Sequence, residues 1–171
     1  MELWDVYDIN RNRIGKLHER GRRLRPGEYH LVADIWTITP KGQILLTQRH
    51  PNKHLGLMWE CTGGAVVAGE SSLEGAIREL KEEVGINIVA EDLKLISTHQ
   101  SKECFLDTYL NRQEIELKDI KLQEEEVIAA KLVSYKELES MHRAGMVVPS
   151  VWERFKEYEC QLLEGIVEQE S

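Results

Sequence analysis

Residues 64–86 read GAVVAGESSLEGAIRELKEEVGI, and this stretch dictates a glycine-bearing turn that runs into an amphipathic helix. Ser71 and Glu74 have the S-x-x-E spacing of a capping box, in which side chains and backbone amides at a helix start satisfy one another. Leu73, Ala76, Ile77, Leu80 and Val84 then recur at intervals of three and four, which makes one apolar stripe on a helix. Gly85 ends it, because glycine takes a left-handed C-terminal position at no steric cost.

The face opposite most of that stripe is acidic. At about 100° per residue, Glu79, Glu82 and Glu83 fall within an arc of about 100° that faces solvent or a cleft. Like charges at this spacing repel by a few tenths of a kcal/mol per pair. A hard divalent cation with oxygen ligands, Mg²⁺ or Mn²⁺, is the compensation that suits such a cluster. The competing reading of the glutamates by themselves is a solvated helix face softened by Arg78 and Lys81.

A length of 171 residues fits one domain spanning 1–171. No internal repeat, low-complexity tract or Pro/Ser-rich linker divides it. Lys and Arg number 22 against 30 Asp and Glu, a formal net charge of -8, which disfavours nucleic acid and anionic membrane surfaces as partners. The N-terminus has no apolar signal-like core and no run of about 18 apolar residues occurs, so a soluble, cytoplasmic protein without membrane partners is expected. Cys61, Cys104 and Cys160 are widely spaced and form no C-x-x-C pair, which reads as free thiols.

Strands are expected at 3–7, 28–39, 43–48, 58–61, 93–100, 104–110 and 127–133. Pro40-Lys41-Gly42 has the composition of a turn joining the second and third of these as a hairpin. The basic KLHERGRRLRPGEY after the first strand is the least patterned part of the chain, and 50–57 reads as a loop. Further capping boxes, Ser134 with Glu137 and Ser150 with Glu153, open a short helix and a longer one running to about residue 164. Trp36, Trp59 and Trp152 read as core residues. The fold class is therefore α/β (α+β), a mixed β-sheet with helices packed on it.

Gly64, five residues, Glu70, seven residues, then Arg78-Glu79-Leu80-Lys81-Glu82-Glu83-Val84-Gly85-Ile86 matches G-x5-E-x7-R-E-U-x-E-E-x-G-U at every fixed position, U being aliphatic. On these residues the chain resembles the Nudix hydrolases. The resemblance implies a mixed sheet sandwiched between helices, with the box as a loop, helix, loop unit at 64–86. It implies that Glu79, Glu82 and Glu83 hold the metals, that the Gly64 carbonyl joins them, and that Glu70 pairs with Arg78 to orient the ligands. A carboxylate from outside the box often completes such sites, and Glu124-Glu125-Glu126 is the nearest acidic run, although a solvated loop is its plainer reading.

QRHPNKHLGLMWECTGG and the opening WDVYD resemble the branch that includes isopentenyl diphosphate isomerases, where basic residues matching Arg49 and Lys53 hold a diphosphate. The catalytic cysteine of those isomerases precedes a Gly-His pair, whereas here Thr62 precedes Gly63-Gly64 and Cys61 lies one place earlier. On a strand that offset turns the side chain to the other face, so Cys61 reads as a buried small residue.

The function expected is metal-dependent hydrolysis of a nucleoside diphosphate linked to another moiety, or of a related small organic diphosphate. The alternatives are an isopentenyl diphosphate isomerase-like activity and a non-catalytic nucleotide-sensing module. The N-terminal strand either pairs across a homodimer or folds onto its own sheet.

Overall fold

The computed structural model describes residues 2–166; Met1 and residues 167–171 lie outside the description. In chain order the elements are β1 (Leu3–Tyr7), β2 (Arg13–Glu19), β3 (His30–Thr37), β4 (Ile44–Arg49), β5 (Trp59–Glu60), β6 (Thr62–Ala65), α1 (Ser72–Val84), β7 (Leu93–Gln100), β8 (Cys104–Asn111), β9 (Val127–Val133), α2 (Tyr135–Arg143), α3 (Pro149–Glu157) and α4 (Glu159–Leu163). The strands form three sheets, in the orders β1-β2, β6-β3-β8-β7 and β5-β4-β9. The four-stranded sheet is mixed, with β3 parallel to β8 and antiparallel to β6.

The hairpin expected around Pro40-Lys41-Gly42 is only a corner. Ile38 bridges Ile44 and Thr39 N–H bonds to the Gln43 carbonyl at 2.8 Å, after which β3 and β4 enter different sheets. β3 and the first half of β4 are buried runs, the pattern of strands covered on both faces, and each is an interior strand of its own sheet. The two strands divide their side chains between two cores. Leu31, Ala33, Ile35 and Leu45 join Ala76, Leu80 and Val84 under α1. Trp36, Ile38, Ile44 and Leu46 join Leu138, Val151, Phe155 and Leu162 under α2, α3 and α4. Helices thus lie on both sides of the strands, as expected.

The strand expected at 58–61 is shortened to β5, which pairs with β4, and a further strand not expected there, β6, follows it and pairs with β3. Cys61, at the crossover, is buried in the core with Trp36 and Trp59. Cys61, Cys104 and Cys160 are all free.

The capping boxes at Ser71/Glu74 and Ser134/Glu137 both form. The one at Ser150/Glu153 does not. Pro149 takes the first helical position, where its missing N–H costs nothing, so α3 starts before Ser150 and Val148 becomes its cap. The long C-terminal helix is also interrupted at Tyr158, which separates α3 from α4.

β2, antiparallel to β1, starts at Arg13 ahead of the unpatterned basic stretch and ends at Glu19 within it. This hairpin is tied to the rest by paired Tyr7 and Tyr29 backbone bonds and by Ala68 N–H to the Leu3 carbonyl at 2.7 Å. The N-terminal strand therefore finds its partners within its own chain. Among the described residues no helix is long and apolar enough to cross a membrane.

Candidate active site

Helix α1 sets the site because its capping box and apolar stripe fix the rotation of its acidic face. Ser71 accepts from Glu74 N–H, and Gly85, at φ 72°, closes the other end with bonds to the Leu80 and Lys81 carbonyls. With Ala76, Leu80 and Val84 fully buried, Arg78, Glu79, Glu82 and Glu83 turn toward β6.

Arg78 is the hub. Its Nε donates to Glu70 Oε1 at 2.9 Å, its Nη1 donates to Glu79 Oε1 at 2.8 Å and Glu82 Oε2 at 2.9 Å, and its Nη2 donates to the Ala65 carbonyl at 3.0 Å. The Glu70–Arg78 contact implied by the resemblance is present, and the same guanidinium also gathers two of the three expected ligands. For this reason, among the described residues, no three His, Cys, Asp or Glu side chains form a ready-made coordination shell.

Glu83 is the outlier. It is 3% exposed, and Gly63 N–H reaches its Oε2 only at 3.4 Å. Burial, and then the neighbouring charge of Glu79, push its carboxyl up to about 8. Burial also raises Glu79, opposed by Arg78. A buried carboxylate with no cation at hand is costly unless something positive joins it.

Gly64 explains itself by contact. A Cβ there would lie 2.4 Å from Glu79 Oε1, so any side chain would displace that carboxylate.

These residues line a cleft of about 110 Å³. Gly63, Gly64, Ala65, Arg78, Glu79, Glu82 and Glu83 line it together with Glu2, Arg20, Lys53, Gln123 and Glu126. Glu70 stands behind Arg78. Lys53 reaches the cleft, with its Nζ 2.6 Å from Glu126 Oε2. Arg49 does not line it. Its Nη1 donates to both Glu60 carboxylate oxygens at 2.6 Å and its Nε to the His54 carbonyl at 2.8 Å. Of the acidic run, Glu126 faces the cleft while Glu124 and Glu125 are exposed outside it.

Glu2, Arg20 and Gln123 were not legible as site residues. Gln123 sits between two acidic segments, and Arg20 directly follows a strand with no apolar period. A larger hollow of about 630 Å³ lies past the C-terminal end of α1, between residues 41–43, 85–87 and 113–120, and none of the clustered glutamates lines it.

The NUDIX domain family model matches residues 28–151. This chain belongs to the Nudix family. An uncharacterized Nudix hydrolase of Listeria monocytogenes is 36% identical over 151 residues, covering 87% of this chain and 89% of the relative. Among solved structures, DR0079 from Deinococcus radiodurans superposes with a TM-score of 0.76 over 92% of this chain and 99% of its own, at 17% identity, a likeness of fold. The MutT protein from Methanosarcina mazei gives a TM-score of 0.61 over 82% of this chain and 98% of its own, at 25% identity. This Nudix protein is thus a pyrophosphohydrolase by family, and its box coincides with the cleft.

Proposed function

We propose that this Nudix protein hydrolyses the diphosphate linkage of a nucleoside diphosphate joined to another moiety, or of a related small organic diphosphate, with Mg²⁺ or Mn²⁺ held by Glu79, Glu82, Glu83 and the Gly64 carbonyl. The observation that carries this reading is Glu83, buried beside Glu79 without an ion-pair partner among the described residues. All the donors are oxygens, which suits a hard divalent ion. Gly64 leaves the space next to Glu79 free of side chain.

A bound divalent ion supplies charge neutralisation at the phosphate oxygens and a lowered pKa for water. The protein's residues do the rest. Arg78, anchored to Glu70 and the Ala65 carbonyl, keeps the α1 carboxylates registered against β6. Lys53, which also lines the cleft, offers a point charge to a phosphate oxygen. Glu126, freed when Lys53 turns to the substrate, is a carboxylate suited to accept the proton of the attacking water. The same reading treats the chain as one hydrolase unit, since β3 and β4 feed both cores.

An isomerase reading has no support at Cys61. Burial raises its thiol well above the usual range, and it packs in the core away from the cleft residues.

The test is incubation of the purified protein with Mg²⁺ or Mn²⁺ and a panel of nucleoside diphosphate conjugates and isoprenoid diphosphates, with chromatographic product analysis. Release of a phosphate-bearing product, lost in Glu82→Gln, is expected. Turnover of no panel member by the unmodified protein contradicts the proposal.

A further inference from the structure

We propose that Arg20, immediately after β2, is a substrate phosphate ligand of this site, held by Glu2 until a diphosphate enters the cleft. The inference rests on the hydrolase reading above and adds a residue from the N-terminal hairpin to it.

The hairpin does not hang free of the site. Arg20 N–H bonds to the Glu2 carbonyl at 3.0 Å, Ala68 N–H to the Leu3 carbonyl at 2.7 Å, and Gly69 N–H to Asp5 Oδ2 at 2.8 Å. The last two residues belong to the loop between β6 and α1, so the loop that leads into the box is stitched to β1. Arg20 and Glu2 consequently line the same cleft as Glu79, Glu82 and Glu83.

Of the three cations that line that cleft among the described residues, Arg78 is engaged by Glu70, Glu79 and Glu82. Lys53 is engaged by Glu126, and Arg20, among the described residues, by Glu2 alone at 2.8 Å. The Arg20 side chain is 52% exposed against 23% for Arg78, so it is the guanidinium free to change partner. Glu2 is fixed independently of it, because Trp4 Nε1 donates to Glu2 Oε1 at 2.8 Å. After Glu2 itself, the charges of Glu126 and Glu79 act on Arg20, which places it in the field of the site.

The direction of exchange follows from bond strength. A half-exposed single-point ion pair is weak, whereas a guanidinium on a phosphate makes two parallel charge-assisted bonds. Arg49, the arginine closest to the box in sequence on its N-terminal side, cannot take this part while Glu60 and the His54 carbonyl hold it. Arg20 and Lys53, which line the same cleft, then supply the cations that are not tied to the α1 glutamates.

Isothermal titration of methylenediphosphonate into the protein, in the presence of Mg²⁺, separates the outcomes. Arg20→Met is expected to weaken binding about tenfold or more, with Arg20→Lys in between. Glu2→Gln, which breaks the same pair but leaves Arg20 in place, is expected to bind at least as tightly as the unmodified protein. Arg22→Met removes a like charge nearby, from a side chain that is 75% exposed and paired with Glu19, and should bind like the unmodified protein. Unchanged binding by Arg20→Met, or equal weakening by Arg20→Met and Glu2→Gln, overturns the inference while the hydrolase reading stands. Should Arg20→Met not fold, Arg20→Lys against Glu2→Gln decides by the same opposition. No binding by the unmodified protein overturns both.

Discussion

Two ion-paired regions of this molecule differ in how their charge closes. On the α3 side, Arg154 Nε donates to Asp34 Oδ2 at 3.0 Å, with both side chains mostly buried at 18% and 12% exposure. One charge meets one charge, joining α3 to β3. In the α1 cleft, among the described residues, Glu2, Glu79, Glu82, Glu83 and Glu126 face Arg20, Lys53 and Arg78, and the most buried of these carboxylates, Glu83, has no ion-pair partner. A balanced buried pair holds elements together. A buried surplus of one sign is a place for an ion from solution.

The largest effect that would break this contrast is on rate. Glu82→Gln is expected to lower kcat by a thousandfold or more, about 4 kcal/mol of transition-state stabilisation, while thermal unfolding moves little because that side chain is 48% exposed. Steady-state kinetics beside a melting curve checks both halves. A large stability loss with the rate per folded molecule intact would move Glu82 to the structural side of the comparison.

Next comes the balanced pair. Arg154→Met leaves Asp34 buried and unpaired and should cost about 3 kcal/mol in urea unfolding. Divalent-ion affinity of the folded variant should stay near that of the unmodified protein.

Glu83 sharpens the contrast through pH. Its carboxyl is raised to about 8 in the folded, metal-free protein, above the ordinary carboxylate value of about 4.3 in the unfolded chain. Between these values the unfolded state has lost a proton that the folded state keeps. Its contribution to stability is therefore full below about pH 4 and is lost as pH rises toward 8. Glu83→Gln should flatten that fall, gaining on the order of 2 kcal/mol at pH 8 in chelator, and divalent ion should stabilise the unmodified protein but not the variant. Unfolding curves with and without chelator across this range measure it.

The smallest effect concerns the helix start. Ser71→Ala removes the α1 cap and should cost about 1 kcal/mol of stability, with the rate per folded molecule retained because the apolar stripe still orients the acidic face. A matching loss of rate would show that the cleft depends on the helix end more than on its packed face.

What could be read from the sequence is what local spacing determines. The capping box at Ser71, the stripe through Leu80, the stop at Gly85 and the grouping of Glu79, Glu82 and Glu83 all lie within one helix and its flanks. The Glu70–Arg78 contact came from the family resemblance, and the structure shows it. Pairing partners did not follow from spacing, since Pro40-Lys41-Gly42 dictates a corner but not the sheets that β3 and β4 enter. The strand β2 was hidden for a physical reason. It turns Leu17 outward at 55% exposure and buries His18 at 8%, with the His18 ring near Trp4 and its Nε2 2.9 Å from the Arg22 carbonyl. An inverted pattern of this kind carries no hydrophobic period, and Arg20 went unseen with it. Arg49 and Lys53 look equivalent in the sequence, one residue before His50 and three beyond it, yet Glu60 captures the first and the cleft receives the second.

The central claim is that the surplus carboxylates of α1 hold a divalent cation over the substrate's diphosphate. Its most direct test is anomalous diffraction from crystals soaked in Mn²⁺ together with an unhydrolysed diphosphate analogue. The account predicts a manganese peak bounded by oxygens of Glu79, Glu82, Glu83 and the Gly64 carbonyl, with Arg78 withdrawn from Glu79 or Glu82. Manganese bound elsewhere, or no peak while Arg78 still bridges those two glutamates, would contradict it.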